Sequence, residues 1–444
     1  MVSLLVLSVP SLLTMLAGVA LFQLVDLRFL SQLGPDAVAA AGATNQTLRQ
    51  FFLLPIMGTS VASQMLIARF IGERSLHRAE HIAGQTFVIG AAISALAAAV
   101  GVLLAEPLIS LVMRDPEVIA LATVYLQISF ALLFTLALVN LGSTILAGAG
   151  DATTPMVVSL LITPVSIAAE WVLAFGKFGF PALGIAGIAL GAGIGGLWGT
   201  CILLWALLSG RCRVHLRLHH LLPDPRGLRR LLSYSWQPAI HMLARGVLVF
   251  FYMWVAGLLG GKVQAAYTIG LRLEMPLLGI AMTLGNACAT LVGQNLGASD
   301  HARSWRAIWV SLGAEVSLLW PGAAALFFYR HELVALFAQD PEVMAIASEF
   351  LAYSAATLVV YAFYFISFRA LQAAGEMNAP MVISFGNVVL LATPLSYYLA
   401  IETGLGAAGI WIGYLTYVVV NTAMTTAYLL SGRWARILRS RPAA

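Results

Sequence analysis

Asp115-Pro116-Glu117-Val118 returns, at a shift of 225, as Asp340-Pro341-Glu342-Val343. The same shift carries Gly72 to Gly297, Arg78 to Arg303, Gly150 to Gly375 and Pro155-Met156 to Pro380-Met381, and Leu183-Gly184 meets Leu405-Gly406 at a shift of 222. Landmarks recurring at one offset mark an internal duplication. Composition says what is duplicated. Of the 444 residues 60% are apolar and 10% charged, with a mean hydropathy of +0.91, whereas an average soluble domain carries roughly 25% charged residues. A chain so poor in charge cannot cover a water-facing surface. Soluble enzyme folds are excluded, and lipid is the expected solvent.

Crossing a bilayer takes about 20 apolar residues per helix. Runs of that kind fall near 3–33, 37–67, 79–104, 118–147, 153–176 and 185–209, and again near 235–259, 263–292, 302–328, 341–372, 378–402 and 406–432. Each copy holds an even number of spans, so both enter the membrane in the same sense and are expected to be related by an axis along its normal. The expected fold is an all-α polytopic membrane protein with twelve transmembrane helices in two six-helix lobes. The N-lobe is 1–209, a cytoplasmic linker 210–228, and the C-lobe 229–444.

The linker contains Arg211, Arg213, Arg217 and Arg226, with Arg229 and Arg230 directly after it. The positive-inside rule puts this loop in the cytoplasm, and six helices on either side then put both termini there too. Arg69, Arg74 and Arg78, Arg303 and Arg306, and the C-terminal Arg433, Arg436, Arg439 and Arg441 all fall on the same side. The first apolar run begins at Val2 without a charged leader and reads as a retained helix. The formal charge of +5 is accounted for by these loops, so no nucleic-acid partner is expected. Cys201, Cys212 and Cys288 form neither a CxxC pair nor a ligand set, so no disulfide framework and no metal are expected.

Two six-helix lobes are the architecture of a transporter, because alternating access needs two bundles rocking about a shared site. The sequence also resembles the multidrug and toxic compound extrusion (MATE) family over almost its whole length. Leu24-Val25-Asp26, followed by Leu33-Gly34 and Ala37-Val38-Ala39, is similar to that family's first helix and outer turn. Thr290-Leu291-Val292-Gly293-Gln294-Asn295-Leu296-Gly297-Ala298 is similar to its C-lobe signature. Gly148-Ala149-Gly150-Asp151 with Pro155, and Ala374-Gly375-Glu376 with Pro380, resemble its two cytoplasmic turns. The resemblance implies a secondary antiporter exporting organic, often cationic compounds in exchange for H+ or Na+. Such a protein is a plasma (inner) membrane monomer with a small organic substrate, no cofactor beyond the coupling ion and no enzyme activity.

Asp26 and Glu170 are the acids that stand out at membrane depth, where a central charge costs about 2.5–3.5 kcal/mol. Asp26 follows Pro10, and Glu170 follows Pro155, by nearly the same length of chain. At a rise of ~1.5 Å per residue each acid lies roughly 22–24 Å from its proline, so both sit at similar depth in the outer half of the N-lobe. Two carboxyls brought together out of water cannot both stay charged cheaply, so a proton or cation joins them, and its departure is a coupling event. Read separately, each acid is satisfied by a neighbouring hydroxyl or amide. Family members with an N-lobe cation site carry Asp where Glu170 stands and Asn four residues before it. Here that neighbour is Ser166, and a threonine expected on the sixth helix is Ala192, so oxygen ligands for sodium are few and a proton is favoured.

In the C-lobe, aligning Gly34 with Gly260 sets Tyr252 opposite Asp26, with Trp254 two residues on. The acid that the family places in helix seven is absent around Ala244-Arg245-Gly246. Glu274 could meet a cationic substrate or an ion-pair partner, and the two-residue spacing sends Arg272 to another face. Glu315 is a further acid in helix nine. Trp254, Asn45, Gln46, Arg49 and Gln127 are candidate substrate-cavity groups, the last four also suited to helix–helix hydrogen bonding. Pro10 and Pro238 are hinge candidates, alongside Pro164 and Pro394 as kinks.

Several look-alikes compete. Gly191-Ala192-Gly193-Ile194-Gly195-Gly196 fits a dinucleotide fingerprint but follows no strand, and Gly191, Gly195 and Gly199 instead offer a smooth face for packing. Gly148-Ala149-Gly150-Asp151 also fits the motif of intramembrane aspartyl proteases, an enzyme reading that needs a second aspartate at the same depth. Asp26 is too far outward for that, and the repeat partner Glu376 indicates a helix cap in both lobes. His215, His219 and His220 read as solvated or lipid-facing loop residues rather than metal ligands. A lipid-linked precursor flippase remains an alternative with the same two-lobe architecture.

Overall fold

In the computed structural model of the chain, described residues are 2–14, 21–34, 36–37, 40–41, 44, 49–110 and 116–434. Among them every regular element is helical. The first unit runs from Val2 to Ala239. It contains α1 (Val2–Leu13), α2 (Leu21–Gln32), α3 (Arg49–Gly72), α4 (Leu76–Leu103), the short α5 (Ala105–Ser110), α6 (Pro116–Ala131), α7 (Leu133–Ala149), α8 (Thr153–Phe175) and α9 (Ile185–Leu208). The second unit, Ile240–Ala444, holds most of α10 (Pro225–Leu259), then α11 (Gly261–Gly297), α12 (His301–Phe328), the short α13 (Arg330–Ala335), α14 (Pro341–Ala373), α15 (Asn378–Asn387), α16 (Thr393–Tyr397) and α17 (Ala407–Leu430). The division falls just after Pro238, inside α10.

Among the described residues ten helices are long and apolar enough to cross a membrane, and the pair α6–α7, bent by 45°, makes an eleventh if counted as one span. With α1 and α2 at the start, the order is that of the twelve-span transporter fold. The bend corrects the continuous helix expected over 118–147. The expected spans 37–67 and 235–259 also shift. The long helix of the former pair runs to Gly72, and α10 begins earlier than expected, at Pro225. Asp224 accounts for that start. Its carboxylate accepts from the backbone N–H of Arg226 (3.1 Å) and Gly227 (3.0 Å), with proline at the first helical position, where a missing N–H costs nothing.

The span 378–402 is interrupted twice by π-helical turns, Val388–Ala392 and Tyr398–Glu402, on either side of α16. Pro394 has no N–H to give to an α-helical bond, which accounts for the wider turn before it.

The linker is docked rather than solvated. Gln85 on α4 donates to the carbonyls of His220 (2.9 Å) and Leu222 (2.8 Å) and accepts from the N–H of Asp224 (2.9 Å), and His81 donates to Asp224 at 3.0 Å. His220 is 1% exposed, correcting its expected solvated place; Gly84 leaves the room, since a Cβ there would strike the His220 backbone.

Apolar packing fills each unit by itself. In the first, Phe130 meets Phe52 edge-on at 4.8 Å. In the second, Trp411 is stacked on Tyr267 at 5.5 Å and meets Phe350 edge-on at 4.8 Å.

Candidate functional site

The site begins with how α8 meets α9. Gly184 holds φ 57° and ψ −129°, a conformation open only to glycine, and so reverses the chain into α9. α9 then lays Gly187, Gly191, Gly195 and Gly199 along α8. A Cβ at these positions would collide with Ala174, Glu170, Ser166 and Ile162 respectively. The glycine run is therefore a packing stripe, and it presses Ser166 and Glu170 inward.

Glu170 is 0% exposed, and neither carboxylate oxygen has a hydrogen-bond partner among the described residues. Asp26, half-buried on α2, is near enough for its charge to act on Glu170, and α2 packs against both α8 and α9. Ser166 is 2% exposed, one turn from Glu170 along the same face. The three residues paired by sequence reasoning thus come together. A bare charge on a buried carboxyl with no hydrogen bond to a described group, beside a second carboxyl, is costly.

Other candidates lie apart. Gln127 is exposed and donates to the Val102 carbonyl at 3.4 Å. Asn45, Gln46 and the Arg49 side chain fall outside the described residues. Pro10 lies inside α1, with its carbonyl accepting from Thr14 Oγ1 at 3.0 Å, and Pro238 lies inside α10.

In the second unit the same joint is built again. Gly406 (φ 61°, ψ −133°) repeats Gly184, and a Cβ on Gly409 or Gly413 would strike Ala400 or Ser396, as those of Gly187 and Gly191 strike Ala174 and Glu170. Ser396 therefore occupies the place of Glu170, and the residue opposite it is Tyr252 (Oγ to hydroxyl 3.5 Å), the position matched to Asp26. The C-lobe joint is uncharged.

Charge in this unit lies deeper. Glu274 is 0% exposed and its oxygens have no hydrogen-bond partner among the described residues, while Arg272 is exposed, as the spacing requires. Arg245 on α10 acts on Glu274, and the hydroxyls of Ser354 and Tyr414 flank it. Glu315 is equally buried and unpartnered among the described residues. Trp254 is 48% exposed, its ring parallel to that of Tyr397 at 6.2 Å. Sequence reasoning noticed Arg245 as a missing acid but not as a neighbour of Glu274. The available signal was their shared distance from the turn at Gly260.

The protease-like motif and its repeat partner both end in caps. Asp151 accepts from the N–H groups of Thr153 and Thr154 at 3.0 Å and from the Thr154 hydroxyl at 2.6 Å, and Glu376 accepts from the Ala379 N–H at 3.1 Å.

A two-unit, multi-spanning helical protein with a sealed acid beside a half-buried one inside one unit belongs to the class of integral membrane transporters. Comparison with known proteins makes the class particular. The MatE family profile matches residues 10–172 and 239–398, and the chain belongs to this family of transporters. It is 27% identical over 399 residues, 88% of its length and 86% of the relative's, to an uncharacterized transporter, YisQ, of Bacillus subtilis (strain 168). It is 25% identical over 438 residues, covering 94% and 89%, to a probable multidrug resistance protein NorM of Thermotoga maritima. Among solved structures, a MOP superfamily transporter from Pyrococcus furiosus superposes with a TM-score of 0.90 at 20% identity, covering 98% of this chain and 96% of the other. An outward-facing multidrug resistance MATE family transporter matches with the same score and identity, covering 99% and 96%.

Proposed function

We propose that the protein is a secondary antiporter of the plasma (inner) membrane, with both termini cytoplasmic, that exports organic, often cationic compounds in exchange for protons. One observation carries the reading: Glu170, sealed from solvent and without a hydrogen bond to a described group, beside the half-buried Asp26. A proton entering from outside joins this pair, the N-lobe rearranges near Pro10, substrate leaves outward, and the lobes reorient once the proton has passed on. The relatives named for multidrug resistance support the substrate class. A proton suits the site better than sodium, because sodium wants several oxygens at fixed distances and glycines line the α9 face opposite Glu170 and Ser166. One charge moving down 100 mV supplies about 2.3 kcal/mol, equivalent to roughly a fifty-fold gradient.

The test is dye uptake in proteoliposomes with a pH gradient and a sodium gradient imposed separately. The pH gradient should drive movement, and Asp26→Asn should abolish it with folded protein retained. Normal transport by Asp26→Asn, or drive by sodium alone, overturns the reading. The flippase alternative asks for a cationic central cavity, so cavity charge discriminates the two readings.

A further inference from the structure

Arg245 lies back along α10 from the turn at Gly260, and Glu274 lies forward along α11 by nearly the same length of helix. At ~1.5 Å per residue both sit about 21–22 Å from that turn, at one level inside a hydrocarbon core about 30 Å thick. This is deeper than Tyr252 and Ser396. Neither residue is neutralised in the ordinary way. Glu274 makes no hydrogen bond to a described group, so the guanidinium acts on it without reaching it. Arg245 is half-buried, not sealed, and the charges and rings acting on it are those of Tyr361, Tyr414, Tyr364 and Glu274.

The tyrosines are held in place. Tyr361 and Tyr414 share a hydrogen bond at 3.0 Å, and Tyr364 is fixed by His241 at 2.7 Å and by Ser384 at 3.4 Å. The result is a partly exposed cation among tyrosine hydroxyls, Tyr361 and Tyr364 buried and Tyr414 half-buried, with no hydrogen bond to Glu274 among the described residues. A guanidinium is a planar fork matched to carboxylates. A charge at this depth is costly, and the same surroundings would suit a hydrophobic solute whose one anionic group meets the fork.

We propose that Arg245 binds the carboxylate of an amphipathic aromatic solute, with Tyr361 and Tyr414 beside it, so that the C-lobe selects compounds bearing an acid group as well as an amine. Glu274 keeps the arginine charge balanced when no solute is bound. The idea rests on the transporter reading for its meaning, but its measurement does not.

The probes are a rhodamine with a free carboxylate and its methyl ester, which differ in that group alone. Binding is followed by fluorescence anisotropy to the full-length protein in lipid nanodiscs, without any ion gradient. Arg245→Gln should weaken the free acid about tenfold or more, as loss of a charge-assisted pair does. It should leave the ester within about twofold, which also shows that the variant is folded. Arg245→Lys, which keeps the charge and loses the fork, should recover part of the affinity for the acid. Equal weakening of both dyes, no change in either, or no binding of the free acid by the unaltered protein overturns the assignment. Failure of proton-driven transport would sink the antiport reading and leave this one standing.

Discussion

Ser396 and Tyr252 face each other across 3.5 Å from hydroxyl to hydroxyl, one repeat on from Glu170 and Asp26. Gene duplication has kept the joint and changed its chemistry. In each unit a glycine-only turn and a glycine stripe press one residue of the fifth span against the first, and that residue is an acid in one unit and an alcohol in the other. An alcohol pair cannot take up and release a charge, so under the antiport reading proposed above the coupling chemistry at this joint belongs to the first unit alone.

That separation gives the first expectation. Tyr252→Phe should leave proton-driven dye uptake close to that of the unaltered protein, with a stability loss of about 0.5–1.5 kcal/mol for one hydrogen bond, whereas Asp26→Asn stops uptake. Initial rates in proteoliposomes at matched protein content decide it. A Tyr252→Phe protein as inactive as Asp26→Asn would show that both joints are needed.

The stripe itself is testable through packing. Gly195→Ala drives a methyl onto the Ser166 hydroxyl and Gly191→Ala drives one onto the Glu170 backbone, so each should destabilise by about 1–3 kcal/mol through overpacking. Gly313→Ala is the control, since a Cβ there meets nothing within 4 Å and removing a helical glycine should stabilise by about 0.5–1 kcal/mol. Thermal unfolding in one detergent ranks the three, and the idea fails if Gly195→Ala unfolds no earlier than Gly313→Ala.

The caps separate transport from proteolysis. Asp151→Ala removes the acceptor for two backbone N–H groups at the start of α8 and should cost about 1 kcal/mol while uptake continues. Were Asp151 a catalytic aspartate instead, the substitution would leave stability nearly unchanged and abolish cleavage of a membrane peptide.

Much of this was legible in the sequence because it is carried by local chemistry or by repetition. Asp115-Pro116 and Asp340-Pro341 align the repeats, Asp151 just before a helix start is a local capping signal, and Asp26 and Glu170 follow prolines at nearly equal distance on helices of the same direction. What was not legible depends on helix rotation and on tertiary override. That Arg245 comes near Glu274 and the tyrosines is decided by how α10 is rotated about its axis. The bend at Leu132 has no proline or glycine to announce it, and the two π-helical turns of the span 378–402 carry only Pro394 as a sign. The docking of His220 depends on Gly84, which stands several helices earlier in the chain, a contact no periodicity reports.

His220 makes the linker's grip on α4 sensitive to acid. Its ring lies 4.0 Å from that of His219, 5.8 Å from His77 and 6.4 Å from His81. Burial first, then the neighbouring His219, hold its imidazole below the ordinary 6.5, with Glu80 opposing. The docked loop therefore keeps His220 neutral, whereas an undocked imidazole protonates at its ordinary value. Docking is at full strength above 6.5 and weakens as pH falls below it. Asp224 behaves in the opposite sense. The hydrogen bond from His81, then those from the Gly227 and Arg226 N–H groups, hold its carboxyl below the ordinary 3.8. Its contribution is complete above that value and is lost only in stronger acid. The two windows do not overlap, so loosening at mildly acid pH belongs to His220. Limited proteolysis of the 210–228 loop in nanodiscs should speed up from about pH 7.5 to about pH 5, corrected for the protease's own pH profile on an unfolded substrate. Asp224→Asn should raise the rate throughout and keep the slope, and His220→Gln should flatten it. A corrected rate that does not change over that range would remove His220 from any part in holding the linker.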